Sequence, residues 1–243
     1  MVLRITNKCY FKCYHCMYNS NGNGENMTEN VFMDSMNFMI KHKVKVVLIS
    51  GVEPTLHPKL NEWIKSIKDT TNMIVLLASN GWYITENGDI PESFKTQADM
   101  VQITNDARYY PMRINAVKNH PDYKFVDSIE ELVKCSKLKH LDNDKFNQNP
   151  KCFNIRFNGM RGMFEKFSDI IKLQESILKI CTPLIGIDGK IYIGETDLCK
   201  PIGSIYDSEQ NLMKKIRTQT CNNCGFYDNF TYNILMETAL KQK

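Results

Sequence analysis

The sequence predicts an α/β fold with a parallel sheet, either an open barrel or a doubly wound sheet, followed by a small α+β unit. Short apolar, β-branched runs recur through the first part of the 243 residues, and amphipathic helical stretches separate several of them. This alternation builds βαβ units. After about residue 172 the texture changes, and two apolar runs flank an Asp-Gly pair, a strong hairpin signal.

The first run is VLRIT (2–6). Thr28 to His42 follows as a helix, with Thr28 as its capping residue and Val31, Phe32, Met36, Phe38 and Met39 on its apolar positions. The strand VKVVLIS (44–50), a helix from Leu60 to Lys68, and the strands MIVLLAS (73–79), MVQIT (100–104) and YKFV (123–126) come next. A helix over Ser128 to Lys134 leads into a polar loop at 135–151, and CFNIRF (152–157) reads as a sixth strand. Beyond it, PLIGIDGKIYIG (183–194) turns at Asp188-Gly189, a helix covers Glu209 to Arg217, and CNNC (221–224) follows. Two domains are expected, 1–172 and 173–243.

A net charge of +4 predicts no nucleic-acid partner. No run of about 18 apolar residues predicts a membrane span. MVLRITNK lacks the features of a secretory signal. The nine cysteines are therefore expected in a reducing cytoplasm, where metal ligation or catalysis outranks disulfides.

CYFKCYHC (9–16) spaces Cys9, Cys13 and Cys16 four and three apart, which fits one helical face as well as a ligand triad. The context favours ligands. A strand ends just before Cys9, NSNGNGEN (19–26) is turn sequence, and polar Lys8, Lys12, His15 and Asn19 crowd the segment. The C-terminal edge of a parallel sheet is where α/β sites form. Three thiolates on a loop suit iron or zinc, and on a four-iron cube they leave one iron open.

These residues resemble the signature of the radical SAM enzymes, which bind a [4Fe-4S] cluster after the first strand of a partial (β/α)6 TIM-like barrel. The resemblance implies that S-adenosylmethionine chelates the open iron. It further implies reductive cleavage to a 5′-deoxyadenosyl radical that removes a hydrogen atom from the substrate. SGVEPTLHP (50–58) resembles the family's Gly-Gly-Glu motif for the methionine amino group, carried here by Gly51 and Glu53, with Val52 in place of the second glycine. ASNGW (78–82) offers Ser79 and Asn80 to the ribose or carboxylate, or simply makes a turn. VQITND (101–106) offers Thr104, Asn105 and Asp106 to the ribose, and His15 offers a backbone carbonyl to the adenine.

Cys181, Cys199, Cys221 and Cys224 form a second group: two flank the hairpin and two make a C-x-x-C. Four thiolates suit zinc or an iron–sulfur cluster, and the C-x-x-C alone suits a redox pair. The order resembles the twitch part of SPASM/twitch domains, implying an auxiliary [4Fe-4S] cluster and hence two clusters in all. Cys135 and Cys152 read as packing residues. Arg156 either holds a substrate anion or hydroxyl or pairs with a surface carboxylate.

The expected function is a cytoplasmic radical SAM oxidoreductase with the auxiliary cluster as electron acceptor. It would oxidise or cross-link a peptide or protein side chain, or oxidise a small molecule, drawing on an electron donor such as flavodoxin or ferredoxin. No residue is singled out as a catalytic base. The first strand is expected to open the fold with no peptide-recognition domain before it, which would leave a small molecule, or a peptide presented by a partner. The alternatives are a non-catalytic zinc or iron–sulfur module and a glycyl-radical activating enzyme.

Overall fold

A computed structural model describes residues 1–11, 22–85, 89–104, 123–126, 165–176, 183–194 and 200–218, with backbone alone at 104, 123–126 and 173–176. The five leading strands form where the apolar runs predict them: β1 (Val2–Arg4), β2 (Val46–Ser50), β3 (Ile74–Ser79), β4 (Met100–Thr104) and β5 (Tyr123–Val126). All pair in parallel, side by side, in the order β5-β4-β3-β2-β1.

Helix α1 (Glu29–Lys41) makes the crossover from β1 to β2, and α2 (Leu60–Thr70) that from β2 to β3. Thr28 caps α1, its hydroxyl accepting the Val31 N–H at 3.4 Å. Glu29 in the first turn and Lys41 in the last complement the helix dipole. Phe32, Met36 and Met39 lie on one helical stripe and enter a core with Ile64 and Ile67 of α2 and Val47, Ile49, Val75 and Leu77 of the sheet. Along β3 the period of two is plain: Val75, Leu77 and Ser79 are buried, whereas Leu76 and Ala78 are half-buried.

The later segment contributes α3 (Phe167–Ser176), β6 (Leu184–Ile185), β7 (Lys190–Tyr192), β8 (Pro201–Ser204) and α4 (Glu209–Thr218). β6 and β7 are the antiparallel arms of the expected hairpin, Ile185 opposite Ile191. The hairpin does not start a sheet of its own. β6 lies parallel to β1, with Val2 opposite Leu184, so the eight strands form one sheet that runs on past β1 to β8. Residue 172, the expected boundary between 1–172 and 173–243, falls inside α3. The fold is mixed α/β with a parallel-rich sheet, consistent with a partial TIM-like barrel. The expected helix at 128–134 and sixth strand at 152–157 lie outside the described residues.

Aromatic contacts bind this segment to α1. Phe167 of α3 meets Phe38 edge-on at 5.5 Å and His42 at 5.2 Å, and its N–H donates to Glu209 Oε1 at 3.1 Å. Tyr206 donates its hydroxyl to Asp34 at 3.0 Å. Among the described residues no helix is long and apolar enough to cross a membrane.

Two buried histidines predict how stability responds to pH. His57 accepts the Lys59 N–H on Nδ1 at 3.1 Å, so its Nε2 donates to the Met27 carbonyl at 3.2 Å. Burial holds His57 and His42 below the usual histidine range, with Lys8 and Lys59 adding to the effect on His57. As pH falls below about 6.5 the unfolded chain binds protons before the folded chain does, so unfolding free energy is expected to fall. Urea unfolding across that range should show the loss, and His57→Gln, which can donate to Met27 but binds no proton, should show less of it. An unchanged pH slope in His57→Gln would refute the assignment.

Candidate functional site

The C-terminal ends of β1, β2 and β3 come together because the backbone goes on pairing after the strands end. Ile5 donates to the Ser50 carbonyl at 3.0 Å, Val52 to the Thr6 carbonyl at 3.1 Å and Glu53 to the Lys8 carbonyl at 3.0 Å. Residues 5–8 therefore run along 50–53, which brings Cys9 beside the exits of β2 and β3. Gly51 is required by this approach, since a Cβ there would stand 2.8 Å from the Thr6 carbonyl oxygen. Val52 is tolerated because its φ is not positive, so a β-branched side chain meets no backbone penalty.

The base of the cysteine segment is pinned on both sides. Asn7 donates to the Glu25 carbonyl at 2.8 Å and Met27 to the Ile5 carbonyl at 2.7 Å. Between them, the Thr6 hydroxyl donates to Asn26 Oδ1 at 2.7 Å. His57 adds its bond to Met27, and Trp63 stacks on Phe32 and meets the tilted His57 ring, each at 4.2 Å. The chain leaving β1 and the chain returning to α1 are thus held together.

Glu53 lies at the centre of the site with 0% exposure. Its Oε1 accepts the Thr55 hydroxyl at 2.5 Å, the Thr55 N–H at 3.2 Å and the Ser79 hydroxyl at 2.8 Å, and its Oε2 accepts the Asn80 N–H at 2.8 Å. Both hydroxyls are themselves oriented, Thr55 by the Trp82 indole N–H at 2.9 Å and Ser79 by the Gly81 N–H at 3.0 Å. Burial pushes the Glu53 carboxyl up from the usual range, and these donors pull against it. The carboxylate, expected from the motif to hold a methionine amino group, has both oxygens bonded to the exits of β2 and β3.

Asn80 completes the connection to the first cysteine. Its Oδ1 accepts the Trp82 N–H at 2.9 Å, and its Nδ2 donates to Cys9 Sγ at 3.7 Å. The Phe11 N–H donates to the same sulfur at 3.4 Å. Gly81 makes the turn between them at φ +67°, the left-handed region that glycine enters freely. A buried cysteine sulfur facing two N–H donors is an electron-rich acceptor, a setting that fits a thiolate ligand of iron.

Of the residues expected from sequence, Cys9, Gly51, Glu53, Ser79 and Asn80 meet in this network, and Thr104 ends β4 on the same edge of the sheet. Cys13, His15, Cys16, Asp106, Arg156, Cys181, Cys199, Cys221 and Cys224 lie outside the described residues. Thr55 and Trp82 belong to the network and were not expected from sequence. The signal for Thr55 was the Glu-Pro-Thr order, in which Glu53 caps a one-turn 3-10 helix (Pro54–Leu56) by accepting the Thr55 N–H and so brings the Thr55 hydroxyl to the same carboxylate.

Replacing Glu53 by Gln turns one acceptor oxygen into a donor that faces donors. The loss expected is about 1–3 kcal/mol of unfolding free energy, measured by urea denaturation of the reduced protein. A variant as stable as the parent would show that the four bonds do not matter.

Comparison with known proteins agrees with this geometry. The model of the Radical SAM superfamily matches residues 3–141, over half of the chain. A stretch of 106 residues, 44% of the chain, is 26% identical to a protein of Methanocaldococcus jannaschii provisionally named a glycyl-radical enzyme activating enzyme, and it spans 41% of that relative's length. The fold is similar to that of BtrN, solved in complex with AdoMet and 2-DOIA, with a TM-score of 0.55 at 11% identity over 100% of this chain and 88% of that one. The chain belongs to the radical SAM superfamily, which implies one [4Fe-4S] cluster and S-adenosylmethionine.

Proposed function

We propose that the chain is a radical SAM oxidoreductase in which Cys9, Cys13 and Cys16 hold the cluster at the C-terminal edge of β1. The observation that carries this reading is the convergence of Cys9 with Gly51, Glu53, Ser79 and Asn80 within a matched family segment. The bound cofactors would supply a 5′-deoxyadenosyl radical for hydrogen abstraction. The chain's own part is to fix the Cys9 sulfur, hold the exits of β2 and β3 in register and present Thr104, Asp106 and the His15 carbonyl to the nucleoside. Arg156 is a candidate to hold the substrate.

The finer reading adds an auxiliary [4Fe-4S] cluster on Cys181, Cys199, Cys221 and Cys224, which would accept an electron from the substrate and give a net oxidation. What supports it is that the hairpin β6–β7 and helix α4 follow one another in the chain in the order of that layout. The layout resembles 2-deoxy-scyllo-inosamine dehydrogenase. Pro183 and Lys200 lead into strands that run parallel to β1, so both stand at the sheet edge opposite Cys9. The substrate is a peptide or a small molecule, and the reductant a flavodoxin- or ferredoxin-like donor in the cytoplasm.

A second reading, activation of a glycyl-radical enzyme, is favoured by the M. jannaschii relative. Anaerobic reconstitution separates the readings. Two clusters would bring about eight irons and one cluster about four. With dithionite and S-adenosylmethionine the protein is expected to release 5′-deoxyadenosine, and alanine at Cys9, Cys13 or Cys16 to abolish release. Zinc without cleavage would favour a metal module instead, and a glycyl radical raised on a partner would favour the activating enzyme.

A further inference from the structure

We propose that Asn80 is a positioning residue for the Cys9 sulfur and that its side-chain amide raises the reduction potential of the cluster that this sulfur would ligate. The inference rests on the radical SAM reading above and assigns Asn80 a role other than contact with the ribose or carboxylate of S-adenosylmethionine.

Three bonds leave the carboxamide one satisfied orientation. The backbone N–H of Asn80 is held by Glu53 Oε2 at 2.8 Å, which fixes where the residue leaves β3. The Trp82 N–H approaches at 2.9 Å and demands an acceptor, so Oδ1 turns to it. Nδ2 then faces Cys9 Sγ at 3.7 Å. Flipping the amide would set a donor against the Trp82 N–H and an oxygen against the sulfur, losing both bonds. Trp82 is itself anchored, through its indole N–H, to Thr55, which donates to Glu53. The buried carboxylate therefore fixes the direction of an N–H···S bond through a closed ring of partners.

The consequence is electrostatic. Reduction adds an electron to the cluster and makes its sulfurs more negative. A donor aimed at a ligating sulfur stabilises that state more than the oxidised one, and hydrogen bonds to sulfur are among the levers that set such potentials. The Phe11 N–H gives a second donor from the backbone, which replacements at Asn80 leave in place. Asn80 is the part of the arrangement that sequence can vary.

Two replacements separate this role from the turn. Asn80→Ser keeps a short oxygen for the Trp82 N–H and withdraws the donor from Cys9 without adding charge. Asn80→Asp keeps the turn oxygen and puts a carboxylate near the sulfur. In the full chain, reconstituted without oxygen, potentiometry followed by electron paramagnetic resonance would track the signal that changes on adding S-adenosylmethionine. Both variants are expected to retain iron and to titrate at more negative potential, Asn80→Asp further than Asn80→Ser. Potentials equal to the parent's with iron retained would overturn the inference and leave the radical SAM reading standing. Loss of the cluster from both variants would overturn it too, since Asn80 would then serve assembly. Absence of any cubane from the parent would instead sink the reading beneath it.

Discussion

A carboxylate shut off from water has to find its hydrogen bonds within the chain, and at Glu53 that requirement arranges the rest of the site. An unsatisfied buried charge is far more costly than the bonds it could make are worth. With 0% exposure, Glu53 draws on Thr55, Ser79 and Asn80, two of which belong to the neighbouring strand's exit. The exits of β2 and β3 cannot drift apart without breaking these bonds. The same constraint reaches the cysteine segment, because Asn80 is the residue that both accepts this restraint and faces Cys9.

The second restraint acts at the other end of the segment. Thr6 to Asn26 and His57 to Met27 join the departing and returning chain, and the aromatic stack through Trp63 ties that junction to α1 and α2. The cluster of the proposed reading would need its ligands held in place while its charge changes, and partners of the ligands contribute to that holding. Here those partners are neutral hydroxyls, amides and an uncharged imidazole, apart from the single buried carboxylate.

Much of this was legible in the sequence because it follows from pattern. The five parallel strands, the Thr28 cap and the Asp188-Gly189 hairpin are local signals, and each formed within a few residues of where its run of residue types ends. Cys9, Gly51, Glu53, Ser79 and Asn80 were legible as one edge of a sheet. Who bonds whom was not: a carboxylate expected to face a ligand bonds Thr55, Ser79 and Asn80, since burial is decided by packing from helices distant in sequence. β8 gave no signal, as Pro201 and Gly203 break the strand pattern, yet an edge strand tolerates both. α3 was missed although Phe167, Ile170 and Ile171 stand at helical spacing and are buried.

The pairing of β6 with β1 explains why the later segment belongs to the same architecture. Without it β1 would be an edge, with unpaired N–H and C=O groups along the strand that leads to Cys9. β6 covers that edge in parallel, β7 and β8 extend it, and the outermost strand is short and begins with a proline, which discourages further pairing. α3 and α4 then close the junction against α1 through Phe167, His42 and Glu209. The strand that leads to Cys9 is therefore flanked on both sides, by β2 with its acid-bearing exit and by β6 with its hairpin. A shift in β1 would have to break ladders in both directions, so the position of Cys9 is set by the sheet as a whole and refined by Asn80.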